Sequence, residues 1–134
     1  METRMKGMDV FAFGISVVPK SVKQLAERFQ LDFHACDYYV FHQANMKMNN
    51  MIMKKLKLPE EKVPSCMYHF GNTSSASIPL TIVTQLGESC KDHKTFLCCG
   101  FGVGLSWGTV IFDTKDLVLS KLVEVEEDKN TKWV

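Results

Sequence analysis

The run Tyr38-Tyr39-Val40-Phe41, passing without a spacer into His42-Gln43-Ala44-Asn45, constrains the fold more than any other feature of the chain. The β-rich run reads as a short buried parallel strand. Asn45 is a good helix N-cap, because its side-chain oxygen can accept from an orphan N–H of the first turn. The helix it opens carries Met48, Ile52 and Leu56 on one stripe, extends to about Leu58 and is stopped by Pro59. A strand that feeds a helix directly is the unit of α/β folds. His42 then stands at the carboxyl end of a strand, where open sheets of this class bind ligands.

The remaining segments extend the same pattern. Phe11, Phe13, Ile15 and Val17 alternate with the period of a strand; Pro19 interrupts, and Val22, Leu25, Ala26 and Phe29 follow at helical spacing. Val63 to Tyr68 reads as the next strand, with Pro64 near its start. Gly71-Asn72-Thr73-Ser74 is turn chemistry, and a helix follows with Pro79 in its first turn, where proline is tolerated. Ile78, Leu80, Ile82, Val83 and Leu86 make that helix apolar nearly all round, so it is expected to be buried on more than one side. Thr95–Cys99 and Ser106–Phe112 read as two strands around Gly100-Phe101-Gly102-Val103-Gly104. From Thr114 the chain turns polar, and Glu124 to Asn130 looks like a solvated tail or linker. The expected organisation is one α/β domain over residues 1–113, with a mostly parallel sheet ending in an antiparallel hairpin, and a polar tail over 114–134.

The chain's 134 residues fit one domain with a core of its own. Sixteen Lys and Arg against fifteen Asp and Glu give a net charge of +1, with no basic block, so nucleic acid is not the expected partner. No apolar run is long enough to cross a bilayer and no signal peptide is visible. The cysteines Cys36, Cys66, Cys90, Cys98 and Cys99 are odd in number and lack C-x-x-C spacing. That argues against a disulfide framework or a zinc site and for a reduced, cytoplasmic protein. His34-Ala35-Cys36-Asp37 offers too few ligands to imply a metal. Met46, Met48, Met51 and Met53 crowd one helix and read as core filling.

Two residues carry candidate chemistry. The positive end of the helix after His42 disfavours an imidazolium, and a neutral ring can donate one N–H to a developing oxyanion. Asn72 lies one unit further on, expected at the end of the next strand, from where its amide could converge on the same atom. The plainer readings are a core histidine bonded to a backbone carbonyl and an ordinary left-handed turn at Gly71-Asn72.

Phe41-His42-Gln43-Ala44-Asn45, the stretch from Gly71-Asn72-Thr73-Ser74-Ser75-Ala76-Ser77 to Leu80, and Gly100-Phe101-Gly102-Val103-Gly104-Leu105-Ser106-Trp107-Gly108 together resemble the C-terminal half of β-ketoacyl-acyl-carrier-protein synthase III. This is a condensing enzyme of the thiolase-like superfamily. The resemblance runs from about Lys6 to Asp113. It implies the second half of an α-β-α-β-α sandwich, and it makes the segment from about Asp9 a helix in spite of its alternation. By the same resemblance His42 and Asn72 would bind a malonyl thioester carbonyl and stabilise the enolate left by loss of carbon dioxide. Asn45 would contact the pantetheine arm. Lys47 would help receive acyl carrier protein or coenzyme A, where the family usually has an arginine. Phe101 would pack beside the malonyl carboxylate, and the Val103 N–H would join a second oxyanion hole. Val103 replaces a glycine there, and Met8 a polar residue.

The substrates implied are acyl-CoA and malonyl-ACP, with no permanently bound cofactor. The nucleophilic cysteine is expected in a first half outside this chain, since Cys98 and Cys99 precede a hairpin instead of opening a helix. A homodimer is expected, with no activity from the chain alone. Two other functions stay open. One is a non-catalytic module that binds an acyl carrier or the other half. The other is a relative that condenses without decarboxylation or makes polyketide or quinolone-type products.

Overall fold

A computed structural model describes residues 6–125. Helix α1 (Gly7–Phe29) leads through a 3-10 turn to strand β1 (Tyr38–Phe41) and helix α2 (Met46–Leu56). A one-turn helix, α3 (Met67–Phe70), and the longer α4 (Ser77–Leu86) precede the hairpin of β2 (Thr95–Gly102) and β3 (Ser106–Asp113). The sheet order is β1-β2-β3. β1 runs parallel to β2, with Phe41 opposite Cys99, and β3 returns antiparallel, with Trp107 opposite Phe101.

Alternation along the strands sorts the side chains into two layers. Tyr39, Phe41, Leu97, Cys99 and Phe101 join Val18 and Val22 of α1 and Met48, Ile52 and Leu56 of α2 in the larger cluster. Val40, Phe96 and Cys98 face the other way and pack with Ile82 and Leu86 of α4. Helices therefore cover both faces of the sheet, in the α/β arrangement expected from the sequence. Gly14 lets the first layer close, because a Cβ there would meet Met48 Sδ at 2.6 Å and Phe101 Cε2 at 3.0 Å.

Two expectations are corrected, at Pro19 and over Val63–Tyr68, and the helix implied over Phe11–Val17 is formed. α1 does not stop at Pro19 but runs through it, and Pro19 is buried. The stretch Phe11–Val17 is part of the same helix, as the resemblance and not the alternation implied. The strand expected over Val63–Tyr68 is not formed; Pro64 has no N–H to give a ladder, and His69 N and Phe70 N bond Cys66 O while Gly71 N bonds Met67 O. The methionine cluster divides: Met48 is buried, whereas Met46 is 48 % exposed.

Beyond β3, residues 114–125 form no helix or strand, although Leu119 packs against the α4 layer. The rest of the expected tail, 126–134, lies outside the described residues. Among the described residues, no helix is long and apolar enough to cross a membrane.

Candidate active site

His42 continues the line of β1, its backbone N–H donating to Cys99 O at 3.0 Å. This places the ring at the carboxyl end of the parallel pair, between the sheet and the start of α4. Its Nδ1 lies 2.7 Å from Ser77 Oγ, at the first residue of α4. The ring meets Phe101 edge to face, with centroids 5.2 Å apart and an interplanar angle of 86°. Burial lowers the pKa of His42 below its ordinary value, so the neutral imidazole is favoured at neutral pH.

Gln43 braces the histidine from behind. It is fully buried, its Nε2 donating to Phe41 O at 2.7 Å and its Oε1 accepting from Ser65 Oγ at 2.6 Å. Its backbone N–H donates to Ser77 Oγ at 3.3 Å. Ser77 in turn is 1 % exposed, and its carbonyl accepts from Thr81 Oγ1 at 2.8 Å. The end of β1, the stretch before α3 and the start of α4 are thus tied by one buried polar network.

Asn72 is reached from the helical turn α3 and not from the end of a strand, which corrects the expected route to it. Gly71 precedes it with φ +63°, a conformation that favours glycine. Asn72 is exposed, and its Oδ1 accepts from Ser74 N at 2.9 Å. That bond holds the amide oxygen and leaves the Nδ2 donors outside it.

The other expected site residues lie at different depths, and of them Phe101 is the one in contact with His42. Asn45 caps α2, its Oδ1 accepting from Met48 N at 2.9 Å. Lys47 is exposed on the first turn of the same helix. Phe101 is buried against His42. Val103 stands at the β2–β3 turn, 96 % exposed, with its carbonyl accepting from Ser106 Oγ at 2.9 Å. Cys98 and Cys99 are buried thiols, pushed by burial up to about 12 and about 11 respectively. Such thiols stay protonated at neutral pH and are poor nucleophiles.

Sequence reasoning missed the partners of His42. Ser77 and Gln43 lie within the motifs, but nothing in the motifs assigns them to the ring. The signal is present in kind: a serine at the start of a helix and a histidine at a strand end. No local spacing links positions 35 residues apart.

A sheet covered on both faces, with a neutral-favoured histidine at the carboxyl end of its parallel pair, defines an α/β domain with a candidate site at a strand end. Residues 26–114 match the family described as 3-oxoacyl-[acyl-carrier-protein (ACP)] synthase III C terminal, and the chain belongs to that family. It is 40 % identical over 110 residues to the β-ketoacyl-[acyl-carrier-protein] synthase III of Streptococcus sanguinis, covering 80 % of this chain and 34 % of that one. It is 36 % identical over 109 residues to the chloroplastic synthase III of Arabidopsis thaliana, covering 81 % of this chain and 27 % of the relative.

Among solved structures, the 3-oxoacyl-(acyl-carrier protein) synthase of Burkholderia xenovorans superposes with a TM-score of 0.77 at 39 % identity, covering 81 % of this chain and 32 % of that one. The synthase III of Pseudomonas aeruginosa gives 0.74 at 34 % identity, covering 81 % and 34 %. OleA of Xanthomonas campestris, at 19 % identity and a TM-score of 0.70 with 80 % and 31 % covered, shares the fold. The chain spans about a third of the length of the curated relatives it matches.

Proposed function

We propose that this chain supplies the enolate-stabilising part of a decarboxylative condensing enzyme in fatty acid or related biosynthesis, an acyltransferase working in the cytoplasm. The single observation that carries this reading is the His42 ring, bonded at Nδ1 to buried Ser77, packed edge-on to Phe101 and held toward its neutral form. A neutral imidazole keeps its proton and donates a hydrogen bond to the carbonyl oxygen of a malonyl thioester. As carbon dioxide leaves, negative charge grows on that oxygen and the bond strengthens. A preorganised donor of this kind contributes roughly 2.7–4 kcal/mol to transition-state binding.

Asn72 is the second donor in this reading, through its Nδ2. Asn45 and Lys47 receive the pantetheine arm and the acyl carrier protein or coenzyme A; Lys47 keeps the charge of an arginine but not its planar fork. Phe101 excludes water beside the malonyl carboxylate, and the Val103 N–H serves a second oxyanion. No permanently bound cofactor is needed. The nucleophilic cysteine that holds the acyl group comes from a partner half, and the assembled protein is a homodimer. In this reading the domain is the stretch 1–113, and 114–134 is a polar tail or linker.

The test is an assay of the chain assembled with its cysteine-bearing half. His42→Ala or Asn72→Ala should lower malonyl decarboxylation at least a hundredfold and leave cysteine acylation largely intact, since the enolate exists only in the second half-reaction. A variant that loses acylation and keeps decarboxylation would overturn the assignment.

A further inference from the structure

We propose that Ser77 is a positioning residue: its hydroxyl donates to His42 Nδ1 and so fixes the imidazole as the Nε2–H tautomer before any ligand arrives. This deepens the proposed function and rests on it for its catalytic meaning, although the tautomer itself can be read without any activity.

The argument is an accounting of one hydroxyl. A serine hydroxyl has one hydrogen to give and two lone pairs to receive. Ser77 Oγ has two partners among the described residues, the Gln43 backbone N–H at 3.3 Å and His42 Nδ1 at 2.7 Å. The backbone N–H can only donate, so one lone pair of Oγ is taken. If Nδ1 also donated, Oγ would accept twice and its own hydrogen would need a third partner. Ser77 is 1 % exposed, so water is not at hand to serve as that partner. If Oγ donates to Nδ1, the hydrogen and the accepted bond are both accounted for. Nδ1 is then an acceptor, and the ring proton sits on Nε2.

The serine is itself held. Its carbonyl accepts from Thr81 Oγ1 at 2.8 Å, and Thr81 Oγ1 lies 3.1 Å from Cys66 Sγ. Gln43 is anchored by Phe41 O and Ser65 Oγ, which fixes the N–H that points at Ser77. The hydroxyl therefore meets the ring from a scaffold assembled by three separate elements. Burial without a carboxylate beside the ring is consistent with this, because nothing near Nδ1 calls for a second proton.

The test is long-range proton–nitrogen correlation on the 134-residue chain with nitrogen-labelled histidine, recorded above the titration of His42. The His42 signals are identified by their loss in His42→Gln. The expected wild-type pattern is a single tautomer with Nδ1 unprotonated and Nε2 protonated. In Ser77→Ala that pattern should give way to a mixture of both tautomers, and Ser77→Thr, which keeps the hydroxyl, should restore it. A protonated Nδ1 in the wild type, or a Ser77→Ala spectrum identical to wild type, overturns the proposal. The wild-type spectrum decides the tautomer even if Ser77→Ala does not fold. The expected tautomer together with an assembled enzyme that does not decarboxylate malonyl thioesters would sink the functional reading and leave the positioning role standing. A protonated Nδ1 with decarboxylation intact would do the reverse.

Discussion

The Lys55 ammonium donates to the carbonyl oxygen of Ile15 at 2.9 Å, and Ile15 is the residue whose helical donor Pro19 removes. In an α-helix the N–H of residue i serves the carbonyl of residue i−4, and proline has none to give. A lysine on α2 fills the gap in α1 from across the helix–helix contact. The proline is tolerated in mid-helix because its orphaned acceptor is reached from outside the helix.

Lys55→Met should therefore destabilise the fold by about 0.5–1 kcal/mol, the low end for a charged donor because the site is exposed. In a Pro19→Ala background the helix regains its own bond, and the same substitution should then cost close to nothing. Urea denaturation of the four proteins of this cycle measures the coupling. Equal losses in both backgrounds would show that Lys55 acts otherwise.

Much of the fold could be read in the sequence because the signals were local. Tyr38–Phe41, the Asn45 cap and the Met48-Ile52-Leu56 stripe each lie within one element, and each formed as expected. The errors came where a distant residue decides. Pro19 reads as a breaker until Lys55 is known to stand beside Ile15. Val63–Tyr68 has strand composition, but hydrogen bonds donated by His69 N and Phe70 N to the Cys66 carbonyl draw its end into a helical turn. The candidate site divides in the same way: the motif residues were visible, and the Ser77 contact that orders them was not, since only the tertiary fold brings it to His42.

Gly14 links core packing to the site. A methyl group there would meet Met48 Sδ at 2.6 Å and Phe101 Cε2 at 3.0 Å, and Phe101 packs on the His42 ring. Gly14→Ala should cost about 1–3 kcal/mol through overpacking and displace the Phe101 ring. Thermal denaturation should show the loss, and the His42 ring resonances should move although the substitution does not touch them. Unchanged stability with unchanged His42 signals would mean that α1 shifts freely enough to absorb the methyl.

The buried thiols set both reactivity and alkaline behaviour. Cys98 and Cys99 should form no adduct with acetyl-coenzyme A at neutral pH, as read by intact mass, because burial holds them protonated at about 12 and about 11. The same shifts act on stability. An unfolded thiol with the ordinary value of 9.0 ionises first, while the folded ones keep their protons. The folded state then binds more protons, so stability is fully present below pH 9 and falls as pH rises through the folded values. Replacing both cysteines with alanine should flatten that decline in a denaturation series from pH 8 to about 11. A stable acetyl adduct on either cysteine, or a decline as steep without them, would overturn this account.

Helix α4 is only partly covered. Ser77, Thr81, Ile82 and Leu86 are buried, whereas Pro79 and Gln85 are exposed and Leu80 and Val83 only half-buried. Ile82 is 8 % exposed and packs with Val40, Phe96 and Cys98, so a charge there would attack the core and not an interface. The open side carries Leu80 and Val83. Full burial of such a side chain is worth roughly 1.5–3 kcal/mol, and part of that remains to be gained. The isolated chain should therefore self-associate through this face, and a symmetric dimer closes it with the fewest kinds of contact. Val83→Asp should shift light scattering towards monomer across a dilution series and leave the far-ultraviolet circular dichroism unchanged. If wild type and Val83→Asp are both monomeric at micromolar concentration, the face needs no cover and the dimer has no basis in α4.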